Sequence, residues 1–224
     1  MLGVEKIKKA YFADYGYRYD PGNLSVTYRS EYRYIKDWVE PGSRILDLAC
    51  GDGSLGLLLI KNKNCDVYGL EISEEGTKIA CAKGVKANIC DIDEKIDFPD
   101  KSFDYVIINV TLQMVYRPAY VFQEALRVGR RVIVSFPNFG HWYARMELMF
   151  LGRFPRYLLY GYEWCNTRHI HFFSYKDFIE FALSRKAKII KCKRLDIDGA
   201  TETIFSKIWP NLFSKLCIIM LEPE

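Results

Sequence analysis

From Ser43 onward, short apolar and β-branched runs alternate with stretches whose apolar positions recur every three or four residues. The runs Arg44 to Leu48, Asp66 to Glu71, Val85 to Ile89, Tyr105 to Asn109 and Arg131 to Phe136 lack a clean period of two, as strands covered on both faces do. Ser54 to Lys61, Glu74 to Ala82 and Pro118 to Val128 carry the helical period between them. Pro118 suits a first helical turn, Ser73 can cap the second helix, and Glu74 and Glu75 then stand where the helix dipole favours negative charge. The alternation predicts an α/β fold: a Rossmann-like, doubly wound, mostly parallel sheet.

Beyond Phe136 the pattern changes. Pro137 to His141 reads as a loop, Trp142 to Phe150 as a helix, and Gly152 to Ile170 as an aromatic excursion punctuated by Gly and Pro, making residues 140–174 an irregular insert. Such long inserts are more often functional than decorative. Ser174 and Asp177 form a capping-box pair for the next helix, with Phe173 and Phe178 at the staple positions. Lys188 to Arg194 and Lys215 to Leu221 read as closing strands. With no repeat or low-complexity linker, residues 1–224 are expected to form one domain, its first 40 residues holding a Tyr-rich arm or lid around Tyr11 to Tyr34.

A chain of 224 residues, 50% hydrophobic, can bury a core without disulfides or a structural metal. The 7 cysteines are odd in number, scattered and never spaced C-x-x-C, and no signal peptide opens the chain, so reduced thiols and a cytoplasmic location are expected. No stretch reaches the roughly 18 to 20 apolar residues of a membrane span. The 32 basic residues are interleaved with 28 acidic ones, without the basic block that nucleic acid calls for. His169, His171 and Cys165 lack the further ligands a zinc site needs. With Glu163, Trp164 and Asn166 they read as a surface facing substrate or partner.

Chemistry concentrates in Leu46 to Gly56, LDLACGDGSLG, where the first strand turns into a helix. Gly51, Gly53 and Gly56 spell G-x-G-x-x-G, and Glu71 follows Gly51 by 20 residues, the place of an acid that binds ribose hydroxyls. A nicotinamide dehydrogenase shares those features. Asp47 separates the two: an acid inside the strand suits a cationic ligand, and S-adenosylmethionine presents a sulfonium and an ammonium where a dinucleotide presents pyrophosphate. Farther on, Asp91 can accept from an adenine amino group while Ile92 packs the ring, and Asn109 and Val110 stand at the carboxyl edge of the fourth strand, where ligands bind open sheets. Asp47, Ala49, Cys50, Gly51, Gly53, Glu71, Ile72, Asp91, Ile92, Asn109 and Val110 are the expected cofactor contacts.

These motifs resemble class I S-adenosylmethionine-dependent methyltransferases and, more narrowly, the MetW family of methionine biosynthesis. The likeness runs from about Arg33 to Leu221, through SRILDLACGDGSLG, YGLEIS, DIDEKIDFPDKSFDYVI, TLQMVYRP, LRVGRRVIVSFPNFGHW, YEWCNTRHIHFFSYKDF and WPNLF. Two positions depart from the pattern: Ala49 replaces a usual glycine, adding a methyl near the cofactor's amino-acid end, and Ser73 replaces a common acid. The resemblance implies a partner, a MetX-type homoserine O-acyltransferase, and a pocket that senses S-adenosylmethionine or consumes it, with S-adenosylhomocysteine as product or inhibitor. The other reading is an independent methyltransferase acting on a small molecule held by the insert. Methyl transfer from a sulfonium needs mostly positioning, so a base is optional; His141, in the loop after the fifth strand, is the candidate.

Overall fold

The computed structural model describes residues 29–159, 163–196 and 201–224. Most of the Tyr-rich arm, residues 1–28, and Tyr162 lie outside them. The elements are α1 (Tyr32–Trp38), β1 (Arg44–Leu48), α2 (Ser54–Lys63), β2 (Asp66–Glu71), α3 (Glu74–Ala82), β3 (Lys86–Ile89), β4 (Phe103–Asn109), α4 (Pro118–Val128), β5 (Gly129–Pro137), α5 (Trp142–Leu151), α6 (Tyr175–Ser184), β6 (Ala187–Leu195), α7 (Ile204–Ile208), α8 (Pro210–Phe213) and β7 (Leu216–Pro223). One 7-stranded sheet orders them β3-β2-β1-β4-β5-β7-β6. The strands pair in parallel from β3 to β5, and β7 runs antiparallel between β5 and β6. The mostly parallel, doubly wound sheet expected from the sequence is therefore present.

Each face of the sheet carries its own core. Leu46, Leu48, Val106, Ile108, Val132 and Val134 pack with α4 and α6 through Phe122, Ala125, Phe178 and Ala182. Ile45, Val67, Tyr105, Ile107, Ile133 and Ile218 pack with α1, α2 and α3 through Ile35, Leu55, Leu59 and Ala80. Burial on both sides is why the strands read as continuous apolar runs.

Local signals set the helix ends. Ser73 Oγ accepts from Gly76 N, Pro118 occupies the first turn of α4, and Ser174 and Asp177 close a reciprocal capping box. The Phe173 and Phe178 rings stack at 6.3 Å across that cap, as staple residues do. Helix α5 runs against its own pattern. It buries Glu147, tied to Arg153 at 3.2 Å, and leaves Met149 72% and Phe150 63% exposed.

Asn138 fastens the insert to the sheet. Its Oδ1 accepts from Gly140 N at 3.0 Å and Tyr175 N at 2.9 Å, while Nδ2 donates to Ser214 O at 2.7 Å and Asn211 O at 3.2 Å. The side chain is fully buried, so every lost partner leaves a desolvated group behind. Asn138→Ala is expected to cost about 3 kcal/mol, read as a lower urea midpoint with an unchanged slope.

Candidate functional site

Strand alternation brings the expected acids together. On β1, Leu46 and Leu48 face the α4 side, so Asp47 faces the α1–α3 side with Ile45. The same parity turns Glu71, at the end of β2, and Asn109, at the end of β4, to that side. Parallel register, with Asp47 opposite Gly69 and Ile107, sets all of them at the carboxyl edge. Gly69 leaves room for Cys50, whose Sγ would stand 2.5 Å from any Cβ added there.

The turn between β1 and α2 follows left-handed steps: Ala49 has φ 60°, Gly51 57° and Gly53 70°. Glycine adopts these freely, and alanine adopts one at some cost. Glu71 holds the turn from below. Its Oε2 accepts from Gly51 N at 2.9 Å and its Oε1 from Ser73 N at 2.9 Å, while Cys50 N donates to Leu70 O. Burial raises the Glu71 carboxyl above its usual range, opposed by those amides and by the charge of Arg168 from the insert.

Asp47 is 4% exposed, and burial, reinforced by the charges of Glu71 and Asp52, pushes its carboxyl up to about 8. It thus holds a proton at neutral pH. Half-buried Ile72 continues from Glu71. Asp91 Oδ1 accepts from Asp93 N at 2.9 Å in the turn after β3, while Ile92 is buried and packs into the core on the α4 side.

Val110 has φ 51°, rare for a β-branched residue. Its N–H donates to both Ser135 O and Oγ at 3.0 Å, and Ser135 Oγ donates to Asn109 Oδ1 at 2.6 Å. Backbone strain of this kind collects at functional corners. Asn109 Nδ2 donates to Glu31 Oε1 at 3.3 Å, and Glu31 pairs with Arg29 at 2.7 Å. Next to it, buried Tyr32 has its phenol pushed up by burial and by Glu31, Asp47 and Asp52, with Arg29 opposing. The described end of the N-terminal segment therefore lies over the site. Glu31, Tyr32 and Asp52 were not expected as individual site residues; the tyrosine-rich segment Tyr11 to Tyr34 contained the first two, and the glycine motif Leu46 to Gly56 the third.

His141 is the N-cap of α5, its Nδ1 accepting from Tyr143 N at 3.2 Å. Burial lowers it to about 4, so it is neutral at physiological pH. The insert returns to the β4 corner at Gln113, whose carbonyl accepts from Ile170 N at 2.9 Å and His171 N at 3.0 Å. Gln113 Nε2 donates to Val110 O, leaving Oε1 buried and without a hydrogen-bond partner, as are His169 Nδ1 and His171 Nε2. Among the described residues, no group of three or more His, Cys, Asp or Glu side chains is placed to hold a metal ion, and no helix is long and apolar enough to cross a membrane.

Residues 29–221 match the family described as methionine biosynthesis protein MetW. The chain belongs to the MetW family. A bifunctional methionine biosynthesis protein MetXA/MetW of Rhodopirellula baltica is 32% identical over 158 residues, 66% of this chain and 25% of that protein. The MetW-family chain thus spans about a quarter of that relative. An uncharacterized protein of Methanocaldococcus jannaschii, MJ1123, is 28% identical over 88% of this chain and 86% of its own length. A solved SAM-dependent methyltransferase of Thermotoga maritima superposes with a TM-score of 0.64 at 17% identity, covering 98% of this chain and 95% of its own. These findings show a MetW-family chain with the Rossmann-like fold of that solved structure.

Two substitutions test the site's internal energetics. Asp47 carries a carboxyl raised by folding, so the stability it contributes is complete below about pH 3.8 and lost as pH rises through about 8. Asp47→Asn is expected to stabilise the fold by on the order of 2 kcal/mol at pH 7.5, with the gain fading toward pH 4, in urea unfolding at both pH values. Ala49→Gly relieves a left-handed alanine and should add about 0.5 kcal/mol, seen as a slightly higher melting temperature.

Proposed function

We propose that this chain binds S-adenosylmethionine at the carboxyl edge of β1, β2 and β4 and supports homoserine O-acylation by a MetX-type acyltransferase in the cytoplasm. The observation that carries the ligand is the placement of Asp47, Glu71 and Asn109 on one sheet face beneath a left-handed turn. Acids around a buried floor suit a sulfonium and an ammonium, and Glu71 keeps lone pairs for ribose hydroxyls beyond the two amides it already accepts. Asp91 and Ile92 would hold the adenine. The described residues work as one domain, with Arg29 to Tyr32 beside the ligand edge. Bound S-adenosylmethionine supplies an activated methyl group; the residues of the chain bind, orient and shield it. His141, buried and committed to the α5 cap, serves structure in this reading and not proton transfer.

The partner rests on the Rhodopirellula baltica relative, in which MetXA and MetW are named in one polypeptide. The exposed apolar side of α5, which begins beyond the carboxyl end of β5, supports a protein contact near the ligand edge. The other reading, a methyltransferase for a small molecule, draws support from the buried, unpartnered Gln113 Oε1, His169 Nδ1 and His171 Nε2, polar atoms suited to an acceptor. Purified chain added to a homoserine acyltransferase separates them. Copurification and a change in acyl transfer favour the first; release of S-adenosylhomocysteine driven by a small metabolite without the partner favours the second.

Glu71→Ala is expected to weaken S-adenosylmethionine binding by about 1.5 to 3 kcal/mol in calorimetric titration, through lost ribose contacts and a loosened turn. Unchanged affinity in a folded variant would make Glu71 purely structural. Affinity should also climb by up to about tenfold per pH unit toward pH 8 as Asp47 ionises, and Asp47→Asn should flatten that slope. NADH, the control for a dinucleotide site, is expected not to compete.

A further inference from the structure

We propose that Lys83 is a positioning residue that sets how strongly the ligand turn prefers a positively charged ligand over its neutral analogue. The proposal rests on the S-adenosylmethionine reading above. Lys83 follows α3, and its side chain is fully enclosed. The ammonium donates to Asp52 Oδ2 at 2.7 Å and to Ser54 Oγ at 3.0 Å. Asp52 in turn accepts from Ser54 N at 3.0 Å and from Ser54 Oγ at 2.8 Å.

Asp52 lies between Gly51 and Gly53, so the ion pair grips the turn that faces the ligand. Helix α3 meets the same turn a second time: a Cβ on Gly53 would stand 2.8 Å from Ala80 Cα. The lysine therefore fixes the turn's position and cancels the charge at its tip. Without that cancellation, the negative charge of Asp52 is felt in full at Asp47 and Tyr32, both of which already respond to it. Glu71, Glu31, Arg29 and Arg168 also face the site: Glu71 is held by Gly51 N, Glu31 by Asn109 Nδ2 and Arg29, and Arg168 acts on Glu71 through its charge.

The two partners of the pair predict opposite effects. Removing the ammonium uncovers Asp52 and makes the site more negative. Removing the carboxylate uncovers Lys83 and makes it more positive. S-adenosylmethionine carries one more positive charge than S-adenosylhomocysteine, at its sulfonium, so the ratio of their affinities reads this field. A turn that is merely loosened weakens both ligands alike.

Calorimetric titrations of both ligands into the wild-type chain, Lys83→Met, Lys83→Arg and Asp52→Asn test this at low salt. Lys83→Met is expected to shift the affinity ratio at least about fivefold toward S-adenosylmethionine, and Asp52→Asn by a similar factor toward S-adenosylhomocysteine. Lys83→Arg keeps the positive charge, so its affinity ratio should stay within about twofold of wild type even where the bulkier guanidinium lowers both affinities. Shifts in the same direction, or ratios within about twofold of wild type in both charge-removing variants, would overturn the proposal. If Lys83→Met fails to fold, the sign of the shift in near-isosteric Asp52→Asn decides. A wild-type chain that binds neither ligand overturns the functional reading itself, and a wild type that binds both with unmoved ratios overturns only this inference.

Discussion

The site depends on one buried carboxylate. Glu71 ends β2 and spends an oxygen on each of two turns, that of Gly51 after β1 and that of Ser73 after its own strand. Charge-assisted bonds to backbone amides are short and directional, and burial strengthens them by excluding competing water. The left-handed turn is thereby locked to the neighbouring strand, not left to its own torsional preferences. Ala49 and Val110 can hold positive φ because the structure around them is fixed from outside.

Around that anchor the electrostatics divide in two. The sheet side holds Asp47, kept protonated at neutral pH by burial and, to a lesser degree, by the neighbouring charges of Glu71 and Asp52. The helix side holds Lys83 and Asp52, an enclosed pair whose charges cancel. Burial raises the Asp52 carboxyl, yet hydrogen bonds from Lys83 and Ser54 outweigh it and hold it below the ordinary range. One acid is therefore poised and the other quenched, within five residues of the same turn.

Much of this was legible in the sequence because the signals were local. Apolar runs without a period of two gave the covered strands, and the Ser73 cap, Pro118 and the Ser174–Asp177 pair located helix starts that match the structure. Parity along β1 and β2, plus the glycine turn, brought Asp47 and Glu71 together. What escaped were contacts set only by tertiary packing. Nothing in the stretch around Lys83 shows that its ammonium folds back on Asp52, 31 residues earlier. Glu31 reaching Asn109, 78 residues on, is equally invisible. Helix α5 was legible as a helix but not in its orientation, since it buries a glutamate and exposes most of its large apolar side chains.

The antiparallel β7 has a consequence for how the chain assembles during synthesis. Strand β6 is made before β7, yet β7 is the neighbour through which it joins the sheet. Until Leu216–Pro223 emerges, β5 keeps one edge open and β6 has no hydrogen-bonding partner in the sheet. The half that carries the left-handed glycine turn, β1 to β4, can organise early on a growing ribosomal chain, whereas the edge that bears β6 waits for β7. Truncation before β7 would leave the buried, apolar β5 with an unpaired edge and the Lys-rich β6 without a partner; an open edge of the first kind is a surface that chaperones recognise and that seeds aggregation.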